Sequence, residues 1–220
     1  MADNQLISNY KESFKETLFG NMVPFWLTHA PDKEYGGYLC GFDREGNLFY
    51  DDKFVWQQGR CFWMFSKLYN EVEKKQEWLD AAKIGYDFIN KYCFDENKHM
   101  YFRVTRDGRP LVIRRYFDSE SFAIIGYAEY YKATGIKEAK ERAVELYGLV
   151  MKYFHTPNYF PPKVNPKTRS NKGHSLYMDM IMISQVMRKI DDDPRYNETI
   201  DYCLDVILNQ CVKRDEKALF

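Results

Sequence analysis

Helical segments of two kinds alternate along this chain, and that alternation restricts the fold more than any other feature. The segments 53–72, 119–134 and 175–190 are apolar on nearly every face. The segments 76–93, 137–154 and 194–212 each carry one apolar stripe. In the middle one the stripe is Ile136, Ala139, Ala143, Leu146, Val150 and Phe154, with Lys and Glu opposite. A helix that is hydrophobic all round must be covered on all sides, whereas a striped helix faces water on one side. Two concentric layers of helices, with the first kind inside, satisfy both demands. An irregular helical bundle is the alternative arrangement. The unit of helix, hairpin with a Gly turn, and helix recurs after roughly 60 residues, the spacing of a repeat architecture.

The connecting segments fit this scheme. A first helix over 6–28 is ended by Pro31 and Asp32. Segment 34–52 has Gly-Gly and Glu-Gly turn signals between short alternating runs, and 95–113 reads as a hairpin with Asp107-Gly108 at its turn. Gly135 is placed to cap the 119–134 helix, and Pro194 sits near the first turn of the last one. The loop 155–173 is proline-rich and basic. Residues 1–220 are expected to form a single domain.

Lys+Arg and Asp+Glu balance at 32 each, so no net field draws the chain to nucleic acid or to an anionic membrane. The apolar runs are far shorter than a membrane span, and the N-terminal MADNQLISNYKES lacks a signal-peptide core, so a cytoplasmic location is expected. Cys40, Cys61, Cys93, Cys203 and Cys211 show no metal-ligand spacing and read as free thiols in a reducing compartment. There is no phosphate-cradling Gly loop, no Cys/His cluster and no Gly-x-Ser-x-Gly, so neither a cofactor nor a metal is expected. The 17% aromatic content suits the C–H faces of pyranoses, although core filling explains most rings equally well.

One residue breaks the apolar pattern. Arg60 lies in the first turns of FVWQQGRCFWMFSKLY (54–69). An unpaired buried guanidinium costs several kcal/mol, roughly, so it needs a carboxylate partner or a polar cavity. A cation inside an aromatic-rich helix suggests a site that receives oxygen-rich or anionic groups; a buried salt bridge to a neighbouring helix is the competing reading.

The segments GGYLCGFDREG (36–46), DDKFVWQQGRCFWMFSKLY (51–69), DSESFAIIGYAEYYKATG (118–135) and NPKTRSNKGHSLYMDMIMI (165–183) together resemble the N-acylglucosamine 2-epimerase family, which includes cellobiose 2-epimerases and sugar ketol-isomerases. They occur in family order over nearly the whole chain. The resemblance implies an all-α fold, a partial (α/α)6 barrel or toroid with about seven of twelve helices and short β-hairpins in its loops. It implies a carbohydrate 2-epimerase working on N-acetylglucosamine, N-acetylmannosamine or a related aldose. The open-chain sugar would lose its C2 proton to a base, giving an enediolate; a proton returned to C1 would yield the ketose instead, an isomerase outcome.

On this resemblance Arg60 stabilises the reactive end of the sugar, as a fixed positive charge beside an enediolate should. Trp56, four residues earlier and on the same helical face, stacks on the sugar. Glu120 reaches into the hollow to bind a hydroxyl or orient Arg60, and Asp118 is read as a helix cap. His174 is a sugar contact at the mouth of the 175–190 helix. Cellobiose-type relatives carry an Asn-x-x-x-His pair hereabouts, but here His174 is followed four residues later by Met178, which favours an N-acylhexosamine substrate. His29, His99 and His155 are expected to face solvent. The family's two acid/base histidines belong to segments past residue 220, so the 220-residue chain alone is expected to be nearly inactive. The basic stretch 163–172 reads as a solvated loop rather than a nucleotide site.

Two other function classes compete. A glycoside hydrolase or lyase on a similar toroid needs carboxylates flanking a glycosidic bond, and Asp118 and Glu120 are too close in sequence for that. A non-catalytic sugar-binding or protein-interaction module is the other, since an open half-ring exposes apolar inner helices that a homodimer would cover.

Overall fold

The computed structural model describes residues 2–113, 116–160, 165, 167–168 and 173–219. The N-terminal helix is continuous in direction but changes hand-hold along its length: α1 (Ala2–Lys15) passes through a π-helical stretch (Glu16–Met22) into α2 (Val23–His29). Pro24 has no N–H to donate and its ring crowds the carbonyl one turn back, and a wider π turn accommodates both. Two short strands follow, β1 (Gly41–Phe42) and β2 (Leu48–Tyr50), paired antiparallel.

The expected helix from residue 53 begins two residues later, because Lys53–Phe54 is a strand, β3. It pairs with β4 (Arg103–Val104), which pairs with β5 (Pro110–Val112). The 95–113 hairpin therefore gains a third strand that local sequence could not announce. Helices α3 (Val55–Glu71), α4 (Gln76–Tyr92), α5 (Asp118–Thr134), α6 (Lys137–His155), α7 (Ser175–Met187) and α8 (Arg195–Val206) complete the two layers, and Gly135 caps α5 at φ 73°. A π turn (Ile207–Cys211) and the strands β6 (Val212–Lys213) and β7 (Ala218–Leu219) replace the last turns expected of the final helix. Most of the basic stretch 163–172 lies outside the described residues. None of the described helices is long and apolar enough to cross a membrane.

Helix α5 packs between α3 and α7, and its side chains are buried nearly all round. Helices α4, α6 and α8 each pack on the inner helix before them and leave one face in water. Aromatic rings fill the core. Phe62 of α3 meets Tyr127 edge-on at 5.5 Å and Tyr130 at 5.3 Å. Farther along, Tyr147 of α6 joins its hydroxyl to Ser184 Oγ (2.8 Å) on α7 and Thr199 Oγ1 (3.3 Å) on α8, so a buried polar tip finds partners on the two helices beside it. At the far end of α3, Asn70 Nδ2 donates to Glu129 Oε2 at 2.9 Å, and Lys132 Nζ holds the same carboxylate at 3.0 Å.

Helices α3 and α5 approach so closely that their crossing admits no side chain. A Cβ at Gly59 would lie 2.7 Å from the Phe122 carbonyl carbon and 2.8 Å from the Ala123 nitrogen, both backbone atoms. Gly126 sits against Phe62 and the Gly59 carbonyl in the same way. Gly59→Ala should therefore force the helices apart and cost about 1–3 kcal/mol, read as a lower urea midpoint. An unchanged midpoint would show that the crossing relaxes freely.

Candidate functional site

The sheet formed by β3, β4 and β5 fixes which helix ends lie together. Strand β3 runs directly into α3, and the Val55 N–H donates to Phe102 O at 3.0 Å. The same hairpin leads to α5, where Ser119 Oγ donates to Tyr101 O at 3.0 Å. The starts of α3 and α5 thus share one end of the molecule. The start of α7 faces that of α5 across a cleft of about 330 Å³ lined by Phe117 and Asp118 of the α5 entry, Tyr153 and Phe160 around the end of α6, and Ser175 and Asp179 of α7. Two inner helices, α5 and α7, present their positive dipole ends here, beside the Asp118 and Asp179 carboxylates of the lining.

In the first two turns of α3, Trp56 and Arg60 lie against Phe122 of α5, with Trp56 partly buried and the Arg60 side chain reaching solvent. The expectation of a buried guanidinium is corrected: Arg60 is exposed. Flanking helices cover α3 on its Gln58, Phe62 and Phe65 side but leave Arg60 open to solvent. Its guanidinium carbon lies 5.1 Å from the Trp56 ring centroid and 4.3 Å from that of Phe122. The two rings are 6.2 Å apart at 46°, so the cation is wedged between aromatic faces. No carboxylate of the described residues is ion-paired with Arg60, Glu120 included. A guanidinium held by its faces keeps its edge N–H groups for a ligand.

The row of rings continues to Phe54, 6.4 Å from Trp56, and to Tyr50, 6.1 Å from Phe54. A second cation, Arg103, lies 5.6 Å from the Phe54 ring. Its Nη1 donates to Tyr50 Oη at 2.9 Å, and Tyr50 donates on to Asp52 Oδ2 at 2.9 Å. Burial and the Asp52 hydrogen bond raise the Tyr50 pKa, keeping the phenol protonated. Sequence reading missed Phe122, Phe54, Tyr50 and Arg103. The latter two sit in different hairpins: the three-stranded sheet sets Arg103 beside Phe54, and the Arg103–Tyr50 hydrogen bond ties the β1–β2 hairpin to it.

Glu120 and His174 are placed differently from Trp56 and Arg60. Glu120 is fully buried, and its Oε1 accepts the Met100 N–H at 3.2 Å. Its side chain turns into the packing beneath the hairpin instead of onto the open face. His174 is the partly buried residue preceding α7, and its carbonyl accepts the Met178 N–H at 3.1 Å. Asp118 lies in the first turn of α5 rather than at the cap, which is Phe117. His155 is exposed as expected, but His29 packs on Phe25 at 4.7 Å and His99 lies 3.5 Å from Asp95.

Comparison with known proteins bears on this arrangement. The family model described as N-acylglucosamine 2-epimerase (GlcNAc 2-epimerase) matches residues 36–219. The chain is 30% identical to N-acylglucosamine 2-epimerase of Homo sapiens over 225 residues, covering 99% of this chain and 52% of that protein. It is 35% identical to cellobiose 2-epimerase of Dictyoglomus turgidum over 143 residues, covering 64% of this chain and 36% of that protein. Among solved structures, cellobiose 2-epimerase from Bacillus thermoamylovorans B4167 superposes with a TM-score of 0.86 at 21% identity, over 96% of this chain and 58% of that one. A D-mannose isomerase superposes with a TM-score of 0.75 at 16% identity, over 90% of this chain and 51% of the other. These likenesses establish a fold of the (α/α)6-barrel kind. The chain spans about half the length of the N-acylglucosamine 2-epimerases it matches.

Proposed function

Because the chain belongs to the N-acylglucosamine 2-epimerase family, we propose that it supplies the arginine-bearing part of a carbohydrate 2-epimerase site for an N-acylhexosamine. The observation that carries this reading is Arg60, wedged between Trp56 and Phe122 and reaching solvent, with no carboxylate of the described residues beside it. When the C2 proton of the open-chain sugar is removed, negative charge develops on the C1 oxygen. The Arg60 edge donors meet that charge without reorganising, because the rings already hold the guanidinium in place; one such fixed donor is worth about 10²–10³ in rate. Trp56 offers its flat face to the apolar side of the sugar, and His174 contacts a sugar hydroxyl at the same helix end. Glu120 acts from below, holding the Met100 backbone and so the loop that sets the α5 entry. The C2 base is assigned to no residue of this chain.

The reaction is read directly by isotope exchange. Incubating the protein that carries this sequence with N-acetylmannosamine in D2O should give N-acetylglucosamine labelled at C2, while the 220-residue chain by itself should exchange little or none. A labelled ketose would move the reaction to aldose–ketose isomerisation. Sugar binding without any exchange, in a protein carrying the family's full length, would leave a binding module and end the epimerase reading.

A further inference from the structure

Helix α1 lies bare along its length: residues 4–18 are all exposed. Leu6, Ile7, Tyr10, Phe14, Leu18 and Met22 all reach solvent, Ile7 at 63% and Phe14 at 70%. A helix of 14 residues with nothing packed on it is marginal in water, and a run of exposed apolar side chains this long marks a contact. Tyr10, Phe14, Leu18 and Met22 follow at intervals of four. On an α-helix of about 3.6 residues per turn that spacing winds forward round the axis. The wider π stretch (Glu16–Met22) winds it back, so the four side chains stay near one face. Lys11 and Lys15 flank this row one turn apart, and neither is ion-paired among the described residues.

The other end of the layered structure presents a matching surface. Leu204 of α8 and Leu208 one turn on are exposed, and Asp201 and Asp205 stand beside them in solvent. Each surface is an apolar ridge flanked by two charges at a spacing of four, positive on α1 and negative on α8. We propose that two copies of the 220-residue chain close a single ring, with α1 of each lying along α8 of the other. The three inner helices α3, α5 and α7 are half of the six in an (α/α)6 barrel, and the chain spans about half the length of its N-acylglucosamine 2-epimerase relatives. A twofold axis along the ring makes the two seams identical and leaves neither edge open. It also keeps the inner helices of both copies starting at the same end. The side of α3 away from α5 then meets the partner's α7, so the helix that carries Arg60 gains its second inner neighbour from the other copy. The hollow is incomplete without that copy, and it receives one such arginine from each.

The test is sedimentation velocity of the 220-residue chain over about 1–100 μM, where a dimer that dissociates on dilution is expected. Phe14→Glu should raise the dissociation constant at least about thirtyfold. Phe14 is exposed in the single chain, so this variant should fold, and its α1 amides should exchange quickly where those of the dimer are protected. Lys11→Glu with Lys15→Glu should weaken the dimer at least about tenfold, because like charges then face each other at both seams. Adding Asp201→Lys with Asp205→Lys to that chain should restore the constant to within about threefold of the wild type. A chain that stays monomeric over the whole range would overturn the proposal and leave the α1 row to helices of a longer protein. A dimer indifferent to Phe14→Glu, or one that the aspartate changes fail to rescue, would overturn it in favour of another pairing. No readout involves sugar turnover, so the ring closure and the epimerase reading fail separately.

Discussion

In a protein of the family's full length that carries this sequence, Arg60→Met should lower C2 exchange on N-acetylmannosamine by about 10²–10³-fold while leaving the protein folded. Methionine keeps the volume and the contact with the rings but removes every donor. The stability change should be small: a cation over an aromatic face at an exposed site contributes about 0.5–1 kcal/mol, and Arg60 has no carboxylate among the described residues to leave stranded. For a chain of this size that amounts to a melting shift of about 1–4 °C. Arg60→Lys separates charge from geometry. It restores a positive charge without the planar fork, so partial recovery of rate is expected. An Arg60→Met protein exchanging at the wild-type rate would remove this arginine from the reaction.

Asp32→Asn should be the most damaging single change to the fold, costing about 3–5 kcal/mol and on the order of 10 °C in melting temperature. Asp32 is buried and receives two cations. Lys53 Nζ lies 2.9 Å from its Oδ2, while Arg106 donates through Nε at 2.9 Å and Nη2 at 3.0 Å. Lys53 is itself enclosed, donating also to the carbonyls of Gly36 (2.6 Å) and Arg106 (2.7 Å). Removing the carboxylate charge leaves that ammonium uncompensated. The pH dependence supplies a second readout. Burial raises the Asp32 pKa, but the hydrogen bonds from Arg106 and Lys53 outweigh it, and the net shift is well downward. The stabilisation is therefore present above the unfolded-state value of about 3.9 and is lost as pH falls below it toward the folded-state value. The gap between wild type and Asp32→Asn in urea unfolding should be full at pH 7 and smaller at pH 3. A variant within about 1 kcal/mol of wild type at pH 7 would mean that water or a shifted Arg106 replaces the missing charge.

Periodicity carried the layers. The apolar-all-round segments became α3, α5 and α7 and the striped ones the helices packed on them, although only α5 is buried nearly all round, while α3 leaves Arg60 and α7 leaves Met178 exposed. Trp56 and Arg60 were legible as a pair because a spacing of four on a helix is a contact. Proximity across the fold was not legible. Phe122 reaches Arg60 because Gly59 lets α5 close in, and Arg103 reaches Phe54 through a strand pairing between residues some 50 positions apart. Glu120 shows the converse failure. Its place in the first turn of an inner helix suggested the hollow, yet which way that turn faces depends on the Met100 backbone lying under it.

The two surface hairpins differ in how they are held. Between β1 and β2 the tip closes on itself, with Asp43 accepting from the Glu45 and Asn47 backbones at 3.0 and 2.8 Å. The tip between β4 and β5 carries Arg106, whose side chain and carbonyl both reach the buried charges on Asp32 and Lys53. An inserted residue at the first tip would disturb the packing of Gly46 on the His29 ring but reach no buried charge. At the second it would pull a keystone, so evolutionary drift in length should spare the β4–β5 turn even though it lies on the outside of the molecule.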